Sequence, residues 1–123
     1  MGNFVSYEDL EVWVETRNLV KIIYSLTKSF PKDELYGLTS QIRRSAVSVP
    51  SNIAEGIGRK HIKDSLQFFY IARGSLYELE TQLYLSFDQE YISKNKLEST
   101  LDMITSCKKL LNGFINYYKT KLT

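Results

Sequence analysis

The chain has 123 residues, of which 43% are hydrophobic and 24% charged, a balance that fits one folded domain over residues 1–123 and excludes a disordered or fibrous chain. A net charge of +2 excludes a polycation, and the lone Cys107 excludes an internal disulfide and suits a reducing cytoplasm. The longest unbroken apolar run, Phe68 to Ala72, is far short of the roughly 20 residues that a membrane span needs.

The start of the chain lacks a basic stretch followed by an apolar one, so no secretory signal is expected. Met1-Gly2-Asn3-Phe4-Val5-Ser6 fits a short myristoylation pattern, which we read as a chance match. Charge comes in blocks: residues 1–38 carry −2, 39–63 carry +4, 64–90 carry −4 and 91–123 carry +4. Alternation of this kind favours antiparallel neighbours and concentrates positive potential on the second and fourth segments.

The first helix is predicted from Tyr7 to Ser29, because Val12, Thr16, Leu19, Ile23, Leu26 and Phe30 recur at spacings of three and four, with Trp13 and Val20 beside them. Pro31 stops it, and Lys32-Asp33-Glu34 reads as one short turn broken at Gly37. The second helix spans Leu38 to Ile57, with Leu38, Ile42, Ala46, Val49, Ile53 and Ile57 on one face. Pro50 lies inside it. The apolar positions stay in phase on both sides, so the helix is expected to continue with a kink. Gly56 and Gly58 read as its exit, where a left-handed residue often ends a helix.

The third helix covers Ile62 to Phe87, with Phe69, Ala72, Leu76, Leu79, Leu83 and Phe87 inward. The fourth begins after the N-cap Ser93. Its seam is Leu97, Leu101, Ile104, Lys108, Leu111, Ile115, Tyr118 and Leu122, flanked by a second row of Met103, Cys107, Leu110, Phe114 and Tyr117. That width is more than one partner helix covers. No period-two segment competes, so the expected fold is all-α, an antiparallel up-down four-helix bundle with a proline-kinked second helix.

Chemistry is sparse. His61 is the only histidine and Cys107 the only cysteine, which leaves no histidine-based triad or Cys/His pair. His61 and Asp64 share a face, but two ligands make a poor metal site. Gly56-Ile57-Gly58 follows a helix and lacks the lysine of a phosphate loop. Glu78 and Glu80 diverge around their helix. No enzyme activity, metal or cofactor is expected.

Two features stand out. On the side of helix 2 away from its apolar stripe lie Arg44, Ser48, Ser51, Glu55 and Arg59. One reading is a solvated face, with Glu55 and Arg59 as an ion pair, Asn52 satisfying backbone loosened by the proline, and Arg43 meeting Glu80 across the bundle. The other is that Arg43, Arg44, Arg59 and Lys60 face the phosphates of a nucleic acid. The second feature is Tyr70, Tyr77, Tyr84 and Tyr91, each seven residues from the last. Tyr70, Tyr77 and Tyr84 suit either an oligomer interface or partial burial at the helix seam; base stacking would want basic neighbours, which the acidic third helix lacks.

At these motifs the sequence resembles the 23S rRNA intervening-sequence protein family. The resemblance runs from Leu10-Glu11-Val12-Trp13 through Phe30-Pro31 and Tyr36-Gly37-Leu38 to the continuous stretch from Gln41 to Gly56. It goes on through Gly58-Arg59, Ile71-Ala72-Arg73-Gly74-Ser75-Leu76 and Glu78-Leu79-Glu80-Thr81-Gln82-Leu83. It implies a bacterial cytosolic bundle assembled as a ring-shaped homopentamer, many relatives being encoded in insertions within ribosomal RNA genes. The chain is also similar to the accessory protein of diversity-generating retroelements, a pentamer that binds a reverse transcriptase and nucleic acid. Arg43, Arg44, Arg59 and Lys60 match that expectation. One departure is His61-Ile62-Lys63, where the family usually has a Ser or Thr able to cap helix 3. The resulting expectation is an oligomer that binds RNA or another nucleic acid through helix 2. The alternative is a protein-binding adaptor that recruits a polymerase or reverse transcriptase without touching nucleic acid.

Overall fold

A 3₁₀ turn at Tyr7–Asp9 precedes α1 (Glu11–Thr27), and the two are separated by Leu10 in an extended conformation (φ −82°, ψ 130°) in the computed structural model, which describes residues 6–122. All but the last residue of the acylation pattern thus lie outside the described residues. The single helix expected from Tyr7 is therefore interrupted. The reason is visible in the rings: Tyr7 packs edge-on against Trp13 with centroids 5.1 Å apart. Residues six apart in an unbroken helix would be separated by roughly 9 Å of rise and could not meet this way.

Inside α1, Thr16 and Thr27 are buried, and each hydroxyl donates to a carbonyl one turn back, Val12 O and Ile23 O, both at 2.8 Å. Helix α2 spans Leu38–Ile57 without interruption at Pro50. Its N-cap residue is Gly37, which has no side chain to cap with, and a neighbour supplies the bond instead. The backbone N–H of Leu38 donates to Glu34 Oε1 at 3.1 Å, while Tyr91 Oη donates to Glu34 Oε2 at 2.8 Å. These two bonds, the Leu38 amide first, hold Glu34 below the usual carboxylate range, and the second raises the Tyr91 phenol. The turn at Lys32–Glu34 is thus the cap of α2 rather than a detached piece.

Helices α3 (Ile62–Asp88) and α4 (Lys94–Lys119) complete a four-helix bundle. His61 opens α3 with no side-chain cap bond, in keeping with its departure from Ser or Thr. Ser93 Oγ accepts from Lys96 N at 3.2 Å and caps α4. Between them Glu90 adopts φ 63°, and the amides of Glu90 and Tyr91 donate to Phe87 O and Ser86 O, both at 2.9 Å. That pair of bonds is a Schellman closure with glutamate in the left-handed position that glycine usually takes.

Each helix packs chiefly on its sequence neighbours, and α1 also meets α4. Side-chain pairs give the directions. Phe69 meets Tyr118, Arg73 Nη1 donates to Asn112 Oδ1, and Glu80 meets Lys108, so residue numbers rise along α3 as they fall along α4. The core is one cluster drawn from all four helices, centred on Leu19, Ile42, Phe69, Leu76, Ile104 and Leu111.

Three details of the predicted core are corrected. Phe87 is 36% exposed, and Ser86 takes the inward position with its hydroxyl on Gln82 O at 2.8 Å. On α4 the inward row is Leu97, Thr100, Ile104, Cys107, Leu111, Ile115 and Tyr118, so Cys107 belongs to the core while Leu122 is exposed. The short thiol side chain fills that slot as a small apolar group. Glu80 pairs with Lys108, whose Nζ is 2.9 Å from both carboxylate oxygens, and not with Arg43. Residue 108 comes level with 80 on the adjacent α4, whereas Arg43 turns toward α1.

Candidate nucleic-acid interface

The four basic residues singled out on and after α2 fall into two pairs at its opposite ends. Arg44 lies roughly 20 Å of helical rise before the last residue of α2, Ile57, and Arg59 and Lys60 follow that end. Arg43 is half-buried and committed to the fold: its Nε donates to Thr27 Oγ1 at 2.8 Å and its guanidinium lies 4.7 Å from the Tyr24 ring centroid. Arg59 is exposed and ion-paired with Glu55 at 2.9 Å, in agreement with a solvated face, and it also covers the Phe68 ring at 4.5 Å. Arg44 and Lys60 are exposed and make no ion pair among the described residues. The structure therefore does not gather the four into one site. It leaves one uncommitted cation at each end.

Asn52 does bond to backbone near the proline, but to a different group from the one Pro50 leaves free. Its Nδ2 donates to Ser48 O at 2.8 Å, and Ser48 Oγ lies 2.8 Å from Ser75 Oγ on α3. Gly56 is not an exit residue. A Cβ there would stand 2.5 Å from Phe69 Cε1 and 2.9 Å from Ser65 O, so its role is the close approach of α2 to α3. Gly58, the C-cap, keeps an ordinary right-handed conformation (φ −76°, ψ −5°).

Charge on α1 is hidden by the net −2 of residues 1–38. Trp13, Arg17 and Lys21 recur every four residues, and that spacing is the available signal that they share a face. They line a groove of about 690 Å³ between α1 and α2, floored by Val20, Val47, Pro50 and Ala54. A second hollow of about 480 Å³ shares Tyr24 and Val47 with it and adds Leu35, Tyr36, Arg43 and Arg44. Among the described residues, no carboxylate lines either one.

The tyrosine row on α3 also divides. Tyr70 is half-buried, with Arg73 5.2 Å from its ring centroid, and Tyr91 is tied to Glu34. Tyr77 and Tyr84 point outward at 54% and 50% exposure, in company with exposed Ile71 and Leu85. Lys108 Nζ sits 4.2 Å from the Tyr77 ring centroid while holding Glu80. Between these residues Gly74 has no atom within 4 Å of where a Cβ would be.

Reactive groups are scarce. Burial, with Glu15 adding to it, pushes the Cys107 thiol up to about 12, so at neutral pH it is neither nucleophile nor thiolate ligand. No group of three or more His, Cys, Asp or Glu side chains is placed to hold a metal among the described residues. No helix among them is long and apolar enough to cross a membrane.

Residues 8–113 match the family profile of the 23S rRNA-intervening sequence protein. The chain belongs to this family. A solved structure from the S23 ribosomal protein family, of a protein with unknown function from Bacteroides thetaiotaomicron, is similar to it with a TM-score of 0.78 and 28% identity. The match covers 85% of this chain and 97% of the other. No curated protein matches the chain. The family profile thus takes in α1, α2, α3 and most of α4, including the Gly56 packing site, Arg44 and Lys60.

Proposed function

We propose that this family member is a non-enzymatic, cytoplasmic bundle that assembles as a homo-oligomer and binds RNA through the outer side of α2. The observation that carries the reading is that Arg44 and Lys60 are exposed cations with no carboxylate partner among the described residues. Arg43 and Arg59 then contribute positive potential from their bonded positions. The family's description, which refers to intervening sequences of 23S rRNA, supports RNA as the polyanion. Contacts of this kind are made mainly to phosphates and depend little on sequence.

The test is fluorescence anisotropy with structured RNA, single-stranded RNA and duplex DNA at two salt concentrations. Log affinity should fall against log salt with a slope of roughly 0.7 to 0.9 per phosphate contacted. Binding no tighter than millimolar to all three at low salt would end this reading.

Assembly is proposed from the outward face of α3. Tyr77, Tyr84, Ile71 and Leu85 flank Gly74, a residue that costs a helix about 1 kcal/mol relative to alanine and has no packing reason within one subunit. Close approach of a second subunit supplies that reason, and Tyr70 would extend the face at its seam. The resemblance to pentameric relatives sets the expected number at five. Native mass spectrometry should show the pentamer, and Tyr77→Glu should dissociate it. A wild-type monomer at micromolar concentration would refute the assembly. The same apolar face favours a second function, an adaptor that recruits a protein such as a polymerase, and that function takes over if the anisotropy test fails.

A further inference from the structure

The groove between α1 and α2 combines positive charge with two properties that a general basic patch does not need. It is rimmed by cations on both helices, Arg17 and Lys21 on α1 and Arg43 and Arg44 on α2, and no carboxylate is among its lining residues. Its floor is apolar, and Val47 in it is 39% exposed. It also carries aromatic rings along its length, Trp13 and Tyr24 in the larger hollow and Tyr36 in the smaller. Tyr36 is 93% exposed and Leu35 beside it 50%, an unusual pair of large side chains to leave in water at the start of α2.

Positive charge calls for an anionic occupant, and flat exposed rings call for one with faces to stack. We infer that this groove binds a single-stranded nucleic acid, with a base stacked on Tyr36 and its phosphates running past Arg44 and Lys21. Duplex bases are already stacked on one another and offer no free face, so the aromatic residues select for unpaired strands. Arg43 covers one face of Tyr24 and Arg17 lies 5.4 Å from the Trp13 ring centroid, which holds these guanidinium groups along the groove. An acidic amphipathic helix would satisfy the charge and the apolar floor, but it would not need a ring as exposed as Tyr36. The inference rests on the RNA-binding reading and narrows it from a polyanion to an unpaired strand, and from the ends of α2 to its seam with α1.

The test uses the full-length protein with a labelled single-stranded RNA, the same RNA annealed to its complement, and poly-glutamate as competitor. Trp13 is the sole tryptophan, so its fluorescence reports directly on the groove. The single strand should bind tighter than the duplex and quench Trp13. Tyr36→Ala should weaken single-strand binding by roughly 5- to 150-fold, the usual range for removing one stacked base, with duplex binding and oligomeric state unmoved. Arg59→Glu with Lys60→Glu should lower affinity for both RNAs yet keep the preference for the single strand. Equal binding of duplex and single strand with no effect of Tyr36→Ala overturns the groove assignment while leaving RNA binding in place. So does poly-glutamate displacing the RNA at equal charge concentration, which would point to an acidic protein partner. A change in subunit number in Tyr36→Ala would make the groove a contact between copies and overturn it too. Failure of every RNA to bind the wild-type protein overturns both readings.

Discussion

Gly56→Ala is expected to destabilise this protein by about 2 kcal/mol, although alanine is the better helix former by about 1 kcal/mol. The added methyl carbon would lie 2.5 and 2.9 Å from two carbons of the Phe69 ring and 2.9 Å from the backbone oxygen of Ser65. Neither neighbour can give way cheaply. Phe69 is fully buried and its ring is hemmed in by Phe114 and Tyr118, with centroids 5.1 and 4.8 Å away. Ser65 O is part of α3 itself. Relief therefore requires α2 and α3 to separate, and overpacking of this kind typically costs about 1 to 3 kcal/mol. The control is Gly74→Ala, where nothing lies within 4 Å of the new atom. That variant should leave a single subunit as stable or slightly more stable, and should act only on assembly. Thermal unfolding by circular dichroism at matched protein concentration compares the two. An unchanged or higher midpoint for Gly56→Ala would show that the helices separate freely and that the close approach is incidental.

Most of the architecture is legible in the sequence because the apolar positions keep a helical period across each segment. The approximate bounds of α2 that the period sets agree with Leu38–Ile57, and the core faces of α1 and α2 follow from it except at their edges. The details that escape depend on partners distant in sequence, where period is silent. Glu34 caps α2 and accepts from Tyr91, a residue on the far side of α3, and nothing local to Lys32-Asp33-Glu34 announces it. Glu90 in the left-handed region has no sequence signal, since glycine or asparagine is the usual mark. Gly56 resembles a helix end because glycine at an end and glycine at a crossing are the same letter. The choice needs to know that Phe69 sits opposite.

The candidate site is less legible, and for a related reason. The basic residues of α2 are visible as a set, but whether an arginine is available depends on what it already holds. Thr27 and Tyr24 occupy Arg43, and Glu55 and Phe68 occupy Arg59. Summing charge over residues 1–38 conceals Arg17 and Lys21, which share a helix with carboxylates but line the groove without them.

That division decides which substitutions should matter most. Arg44→Glu with Lys60→Glu should abolish RNA binding under conditions where the wild-type protein binds, because of the four basic residues on and after α2 it inverts the two that have no ion-pair partner among the described residues. Each substitution replaces a cation with an anion, and an oligomer multiplies the change around the assembly. Removing each phosphate-binding side chain should also lower the salt slope by roughly 0.7 to 0.9, so any residual binding, held by the remaining cations, should be weak and less salt-dependent than that of wild type. Both side chains are exposed and bond to nothing in the core, so circular dichroism and subunit number should be unchanged. Arg43→Glu is the poorer probe. It breaks the bond to Thr27 and the cover over Tyr24, placing a carboxylate in the half-buried seam of α1 and α2, and its effect on binding would be mixed with a fall in stability. Arg59→Glu sets a carboxylate one turn from Glu55, a penalty of about a few tenths of a kcal/mol that folding tolerates, and should weaken binding less than the Arg44 and Lys60 pair. Anisotropy measured on all three variants at two salt concentrations ranks them. If Arg44→Glu with Lys60→Glu binds RNA as tightly as wild type, the outer side of α2 is not the interface.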